Sequence, residues 1–447
     1  MLVGVGSLAV KVVATGKELT LAAMFGRGDL VDALLIAMLA PMFVVGVVSS
    51  SLNAALVPTF VQVRDQQGRD AAQRLFSNAI VWSQGLFLAC TGLLATTGPW
   101  LLPLLGSGFS PAKLALTLRL FYALLPVIAI NGLVTTWASI INANERFWLP
   151  ALTPVLTPLM AVLLLIMLGV RWGVWPLVIG ILIGSVTEAL VLALVLHRQG
   201  ISLRPRWYGA DEAFRQVQRQ WAPVLAGGFL ASGVGCVDQA MAAMLPSGSV
   251  SALSYASRIV SVGLTMMGSS ISTAVIPFFS RMVANSDFQG CRHTLSTYTR
   301  LIAATTLPLT GILIVFSRPI VHLLYQRGSF GVEDATLVAH IQALYAIQIP
   351  FFVTCQIHVR LLSALQRNDL VFCAAGINLV LDVIFNLVFM RWWGVAGIAL
   401  STSLFFVVTC AFVVFAGRRV LAARSGASCA SAALIALQPA PQLSSHD

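Results

Sequence analysis

Charge is scarce in this chain: only 10% of its 447 residues are Asp, Glu, Lys or Arg, against about 25% in soluble globular proteins. With 58% hydrophobic residues, too little polar surface remains for an ordinary soluble domain. Acid is the scarcer sign, 16 Asp and Glu against 27 Lys and Arg, which leaves a net charge of +11. That excess does not describe a nucleic-acid binder, because the basic residues sit mostly in short loops and form neither a stripe nor an arm. The seven cysteines, Cys90, Cys236, Cys291, Cys355, Cys373, Cys410 and Cys429, contain no CxxC pair and lie mostly inside apolar runs. They read as small hydrophobes, with no disulfide framework or zinc site. The six histidines, His197, His293, His322, His340, His358 and His446, are scattered and form no HExxH motif. No loop is large enough for a catalytic domain, so no enzyme is expected. The N-terminus "MLVGVGSLAVKVV" lacks a basic stretch and a clear cleavage site, and reads as a first membrane helix.

What the chain has in abundance is apolar runs. Segments long enough to cross a ~30 Å hydrocarbon core fall near residues 2–25, 30–60, 78–105, 119–142, 148–169, 172–197, 220–245, 251–280, 293–316, 337–365, 370–390 and 394–417. The expected fold is an all-α polytopic membrane protein of about twelve transmembrane helices. Alternate loops are basic: Arg64, Arg69 and Arg74, then Arg146, then Arg198, Arg204, Arg206, Arg215 and Arg219, then Arg281 and Arg292, then Arg367. The positive-inside rule puts those loops and both termini in the cytoplasm.

The longest polar loop, "HRQGISLRPRWYGADEAFRQVQRQ", follows the sixth span and divides the chain into halves that resemble each other. At an offset of 219, "VDALLIA" from Val31 matches "VSALSYA" from Val250, and Ser50, Ala55, Pro58 and Phe60 pair with Ser269, Ala274, Pro277 and Phe279. At an offset of 221, Ala143 and Arg146 pair with Ala364 and Arg367, and Trp172-Gly173-Val174 with Trp393-Gly394-Val395. Several matches in one span order argue for a duplication. Each repeat holds an even number of spans, so the halves are parallel, related by a pseudo-two-fold along the membrane normal. The expected division is a six-helix lobe at 1–200, a cytoplasmic linker at 201–219, a second six-helix lobe at 220–418 and a tail at 419–447. The Ala/Ser/Pro-rich end of that tail, beyond Arg424, is expected to lack structure. Two such lobes around a cavity suit a transporter.

Charges inside the spans mark two candidate sites. Lys11 and Lys17 lie in the first span, with Glu18 beside the second. Six residues put the lysines about 120° apart on a straight helix, so they share a cavity only if it is wide or the helix bends. They can wall a site for an anionic ligand; alternatively Lys17 pairs with Glu18 and Lys11 snorkels. Arg258 sits two turns into the eighth span among small residues such as Ser251 and Ser254. Its guanidinium suits phosphate, or an acidic partner such as Asp32 or Glu18. The candidate substrate site is therefore Lys11, Lys17, Asp32, Ser251 and Arg258. Asp238 in the seventh span, Asn378 and Asp382 in the eleventh, and Thr402 in the twelfth are hard oxygen donors. They suit a small cation, Na+, or one carboxylate carries H+; helix–helix hydrogen bonding is the plainer alternative. Asn386 continues the same face, and Glu188 in the sixth span has no assigned role.

The stretches "KELTLAAMFGRGDLVDALLIAMLAP", "LVPTFV", "PSGSVSALSYASRI", "VIPFFSR", "LLYQRGSF" and "LLSALQRND" resemble the MurJ (MviN) family of lipid II flippases, in the MOP exporter superfamily, over roughly residues 3 to 418. The resemblance implies two six-helix lobes around a cationic cavity. It implies export of a polyprenyl-diphosphate-linked sugar across the bacterial cytoplasmic membrane by alternating access. It puts the family's first-helix cations on Lys11 and Lys17, its eighth-helix arginine on Arg258 and its acidic position on Asp32. It also implies that Asp238, Asn378, Asp382 and Thr402 hold a coupling cation. Lysine replaces arginine twice in the first span, and "APMFVVGVVSSSLNAALVP" lacks the family's usual second-span arginine pair. A paralogue carrying another lipid-linked oligosaccharide fits these departures. The implied partners are the lipid-linked glycan, membrane lipids, and cell-wall or polysaccharide synthesis machinery. The alternatives are a MATE-like cation-coupled multidrug exporter and an integral-membrane polyprenyl-glycan enzyme.

Overall fold

Apolar chain in a bilayer must satisfy its own backbone hydrogen bonds, and helices do this within one segment. In the computed structural model, which describes residues 2–285 and 287–436, every regular element among the described residues is helical. The first half comprises α1 (Leu2–Phe25), α2 (Asp29–Gln67), α3 (Arg69–Leu105), α4 (Pro111–Ala143), α5 (Trp148–Leu152), α6 (Leu156–Trp172) and α7 (Trp175–Arg198). The second comprises α8 (Glu212–Ala242), α9 (Ser249–Ala284), α10 (Phe288–Val315), α11 (Ser317–Tyr325), α12 (Val332–Ala346), α13 (Ile349–Ala364) and α14 (Asn368–Ala436). Nine helical stretches among the described residues are long and apolar enough to cross a membrane. The protein is a polytopic membrane protein.

Proline explains several breaks. A one-turn 3-10 helix, Thr153–Val155, separates α5 from α6 and contains Pro154. Pro350 opens α13 just after the break from α12, where its missing N–H costs nothing. The stretch "LLYQRGSFGVED" is half helical: Leu323, Leu324 and Tyr325 end α11, residues 326–331 form a turn, and Val332 begins α12.

The duplication shows in the backbone. Gly173 (φ 61°, ψ −129°) turns α6 into α7, and Gly394 (φ 54°, ψ −132°) folds α14 back on itself. No side chain tolerates that conformation, so both turns need glycine. Glu145 (φ 62°) and Gln366 (φ 59°) are the non-glycine residues of positive φ among the described residues, and they too stand 221 apart. Each closes the same turn: Arg146 N–H donates to Ile141 O at 3.2 Å and Arg367 N–H to Leu362 O at 2.9 Å. Of the other paired positions, the side chains of Ser269, Ala274 and Pro277 lie outside the described residues.

One buried apolar cluster spans both halves, from Leu21 and Phe121 to Tyr255 and Ala399. A second, Leu52 to Val217, belongs to the first half and the start of α8. The linker lies on this second cluster. Ser77 Oγ contacts Arg206 O at 2.8 Å, Asn78 Nδ2 donates to Gly209 O at 2.8 Å, and Trp82 meets Trp221 edge-on. Large apolar side chains such as Val170 and Met167 stay exposed on the outer surface, as lipid rather than water requires. The helix α14 runs on to Ala436, where an unstructured tail was expected. Alanine in "ASCASAALIA" explains the difference, since it is the strongest helix former. Residues 437–447 lie outside the described residues.

Candidate functional site

At the end of the bundle that carries the α1–α2 turn, the two halves are locked together. Asp32, 1% exposed, sits in the first turn of α2. Its Oδ1 accepts from Ser251 N–H at 2.8 Å and its Oδ2 from Gly248 N–H at 2.7 Å. The carboxylate therefore caps α9, where free N–H groups and the helix dipole favour negative charge. Lys113 Nζ, from the first turn of α4, donates to Asp32 Oδ2 at 3.0 Å and pairs with Asp29 Oδ1 at 2.7 Å. The same ammonium lies 3.9 Å from the centre of the Phe109 ring. Asp29 also accepts from Ser247 Oγ at 2.7 Å. A second tie runs from α1 to the α11–α12 turn. Arg27 Nε pairs with Asp334 Oδ1 at 2.9 Å. Ser329 N–H donates to Ala23 O at 2.8 Å, and Ser329 Oγ to Met24 O at 3.0 Å. Tyr255 OH reaches Gly26 O at 3.2 Å. A Cβ at Gly26 would lie 2.5 Å from Ser329 O, so the turn admits no side chain there.

Asp32 and Ser251 were expected beside the substrate; the structure places both in this latch. Ser251 is fully buried, its hydroxyl donating to Gly248 O at 3.1 Å. Sequence reasoning missed Lys113, which reads as a loop charge, and the Arg27–Asp334 pair. The available signal was that Asp29 and Asp32 follow a glycine at a helix start.

Lys17 Nζ lies 3.0 Å from Glu18 Oε1, so in this state its charge is spoken for. Lys11 in α1 and Arg258 in α9 are half-buried, and neither side chain has a hydrogen-bond or ion-pair partner among the described residues. Glu18 and Arg258 both lie within electrostatic reach of Tyr325. The cations thus come from one helix of each half.

The second site lies inside the second half. Asp238 of α8 is 7% exposed, and Asp382 and Asn386 of α14 are fully buried. Asn386 Nδ2 donates to Asp238 Oδ1 at 2.8 Å and to Asp382 Oδ1 at 3.2 Å. Thr402 Oγ1, from beyond the Gly394 turn, reaches Asp238 Oδ2 at 3.2 Å. Asp238, Asp382 and Thr402 are brought together as a set. Asn378 is not among them: its Oδ1 meets Thr409 Oγ1 across the α14 hairpin. Asn386, one turn beyond Asp382, stands in the cluster. Spacing alone offered both amides, and only the packing chooses between them. Neither carboxylate has a Lys or Arg partner among the described residues, and Asp382 Oδ2 and Asn386 Oδ1 are buried without any hydrogen bond. Two carboxylates in contact at low dielectric cannot both stay charged unless a proton or a cation joins them. Four oxygen-bearing side chains suit a hard monovalent or divalent cation. Glu188, left without a role, is buried and accepts from Thr157 Oγ1 at 3.3 Å.

Residues 21–438 match the family described as lipid II flippase MurJ. A probable lipid II flippase MurJ of Synechocystis is 25% identical over 418 residues, 90% of this chain and 77% of the relative. One from Thermotoga maritima is 25% identical over 419 residues, 91% and 82%. A solved lipid II flippase MurJ in an inward closed conformation superposes with a TM-score of 0.81 at 23% identity, covering 93% of this chain and 87% of that one. An inward-facing multidrug resistance MATE transporter of the MOP superfamily gives 0.80 at 13% identity, covering 93% and 95%. With a match that spans nearly the whole chain, this protein belongs to the MurJ family of lipid II flippases.

Proposed function

We propose that this protein flips a polyprenyl-diphosphate-linked sugar, lipid II or a related lipid-linked oligosaccharide, across the bacterial cytoplasmic membrane by alternating access. The observation that carries the reading is the family match joined to the cations Lys11 and Arg258, unpaired among the described residues and on helices from opposite halves. A diphosphate needs several donors at once, and guanidinium and ammonium groups supply charge-assisted hydrogen bonds. Glu18 holds Lys17 until a phosphate competes for it. The basic loops orient the latch outward and both termini inward, so the Asp32–Lys113 latch keeps the outer end shut while the cations await substrate from the cytoplasm.

Asp238, Asp382, Asn386 and Thr402 then hold the coupling ion, Na+ or a proton. In this state the Asn386 amide donates to both carboxylates, at the point where a cation would lie. Turning that amide over presents Oδ1 to the same point and adds one more ligand. Ion arrival would draw α8 and α14 together and bias the second half against the first. A drug-exporter reading fares worse, since Lys11 and Arg258 repel cationic drugs. Partners beyond the lipid-linked glycan and membrane lipids are cell-wall or polysaccharide synthesis enzymes. The test is complementation of a strain depleted of its own lipid II flippase. Wild-type chain restores growth and Arg258→Ala, present at equal level in the membrane, does not. Full growth with Arg258→Ala overturns the diphosphate assignment; no growth with the wild type points to another lipid-linked glycan.

A further inference from the structure

We propose that the groove between α11 and α12 is a headgroup site for a zwitterionic phospholipid of the phosphoethanolamine type, separate from the translocation path. The groove holds about 550 Å³, a size suited to a small polar group with its glycerol neck. Glu333, Thr336, Leu337 and His340 form one stripe on α12, and Ser317 and Arg318 face it from the start of α11. Residues at these spacings share a helix face. The groove is built by the break between α10 and α11: Gln342, fully buried, donates its Nε2 to the Leu313 carbonyl at 3.4 Å. That pins the broken turn to α12 and opens α11, which starts with no side-chain cap.

Three observations point to a ligand. Ser317 lines the groove at 7% exposed, and its hydroxyl, still accessible from the groove, makes no hydrogen bond among the described residues. Arg318 and Glu333 line one groove without forming an ion pair, and no other ion pair takes either of them among the described residues. The groove also carries exposed apolar surface, with Val332 in its lining at 58% exposed. Exposed polar and apolar side chains side by side suit the membrane interface.

The order of charges selects the headgroup. Arg318, the His340 ring N–H and the Ser317 hydroxyl offer donors that fit a phosphate. Glu333 lies in the first turn of α12, next to the 326–331 turn at the bundle's end. It is seven residues from His340, about 10 Å along the helix. Donors therefore sit deeper and the carboxylate sits nearer the membrane surface. A phosphoethanolamine headgroup has that order, a phosphate at the glycerol and an ammonium beyond it. Phosphatidylglycerol offers nothing for Glu333, and the methylated amine of phosphatidylcholine cannot donate to it.

The test counts lipid retained by native mass spectrometry. The purified full chain is reconstituted in nanodiscs of equal phosphatidylethanolamine, phosphatidylcholine and phosphatidylglycerol, then released. Wild type is expected to keep one phosphatidylethanolamine about tenfold over the other two, a 1.4 kcal/mol preference. Arg318→Ala should lose all three lipids. Glu333→Gln should keep a phospholipid but lose the preference for phosphatidylethanolamine. Thermal melts in detergent establish that both variants are folded; for a variant that is not, Arg318→Lys and Thr336→Val supply the comparison. Equal retention of the three lipids overturns the proposal. So does preferred phosphatidylglycerol, retention unaffected by Arg318→Ala, or retention of an added polyprenyl diphosphate in place of phosphatidylethanolamine.

Discussion

Asp32 is a buried carboxylate, and its three contacts decide its character. It accepts two N–H groups of α9 and the ammonium of Lys113. Removing one member of such a set leaves the rest buried and unmatched, which costs about 3–5 kcal/mol. Asp32→Ala is therefore expected to lower the melting temperature of purified protein and to raise thiol labelling of a cysteine placed at Ser251. A variant that melts with the wild type and stays unlabelled would remove the latch from the account. Asp382 differs, because its Oδ2 has no hydrogen-bond partner among the described residues. Sodium added to purified wild type should raise the melting temperature, and Asp382→Ala and Thr402→Ala should abolish the rise. A rise produced equally by potassium would remove sodium, and a response to pH alone would leave the proton as coupling ion.

At the scale of elements, the turns at Gly173 and Gly394 carry the repeat. No atom lies within 4 Å of a Cβ added at either one. The cost of Gly394→Ala is then purely conformational, about 1–3 kcal/mol, and Gly173→Ala should match it. Denaturation of the two variants checks this: equal losses are expected. A much larger loss at Gly394 would mean that the hairpin also shapes the cluster of Asp382 and Thr402, whose chain positions lie either side of that turn. The breaks at Pro154 and Pro350 mark helices that bend within the membrane, where proline leaves a carbonyl for other donors.

The whole molecule is held shut at one end by side chains from both halves. Asp29 and Ser247 approach to 2.7 Å across that contact. Asp29→Cys with Ser247→Cys, bridged by a short bifunctional thiol reagent, should stop growth in the complementation strain. Reducing a cleavable bridge should restore it. Growth that continues with the bridge in place would mean that the two halves need not part there. The apolar cluster joining the halves includes Val31 and Ala252, chain neighbours of Asp32 and Ser251, while the other cluster stays within the first half and the start of α8. Opening that end therefore parts the first cluster between the halves, while the second moves with the first half.

The helical membrane class and the duplication were legible in the sequence. Apolar run length and glycine at matched turns are local properties, and Gly173 and Gly394 announce themselves. The cations Lys11, Lys17 and Arg258 were visible too, because an intramembrane charge is conspicuous against apolar neighbours. Which charges meet was decided only by the tertiary structure. Asp32 turned to the N–H groups of α9, Lys113 came from the first turn of α4 to join it, and Lys17 took its neighbour Glu18. Asn386 and not Asn378 joined Asp238, because the α14 hairpin sets which turn of one helix faces the other. Contacts between residues 148 or 216 apart in the chain depend on how helices stack, and no periodicity within one helix carries that information.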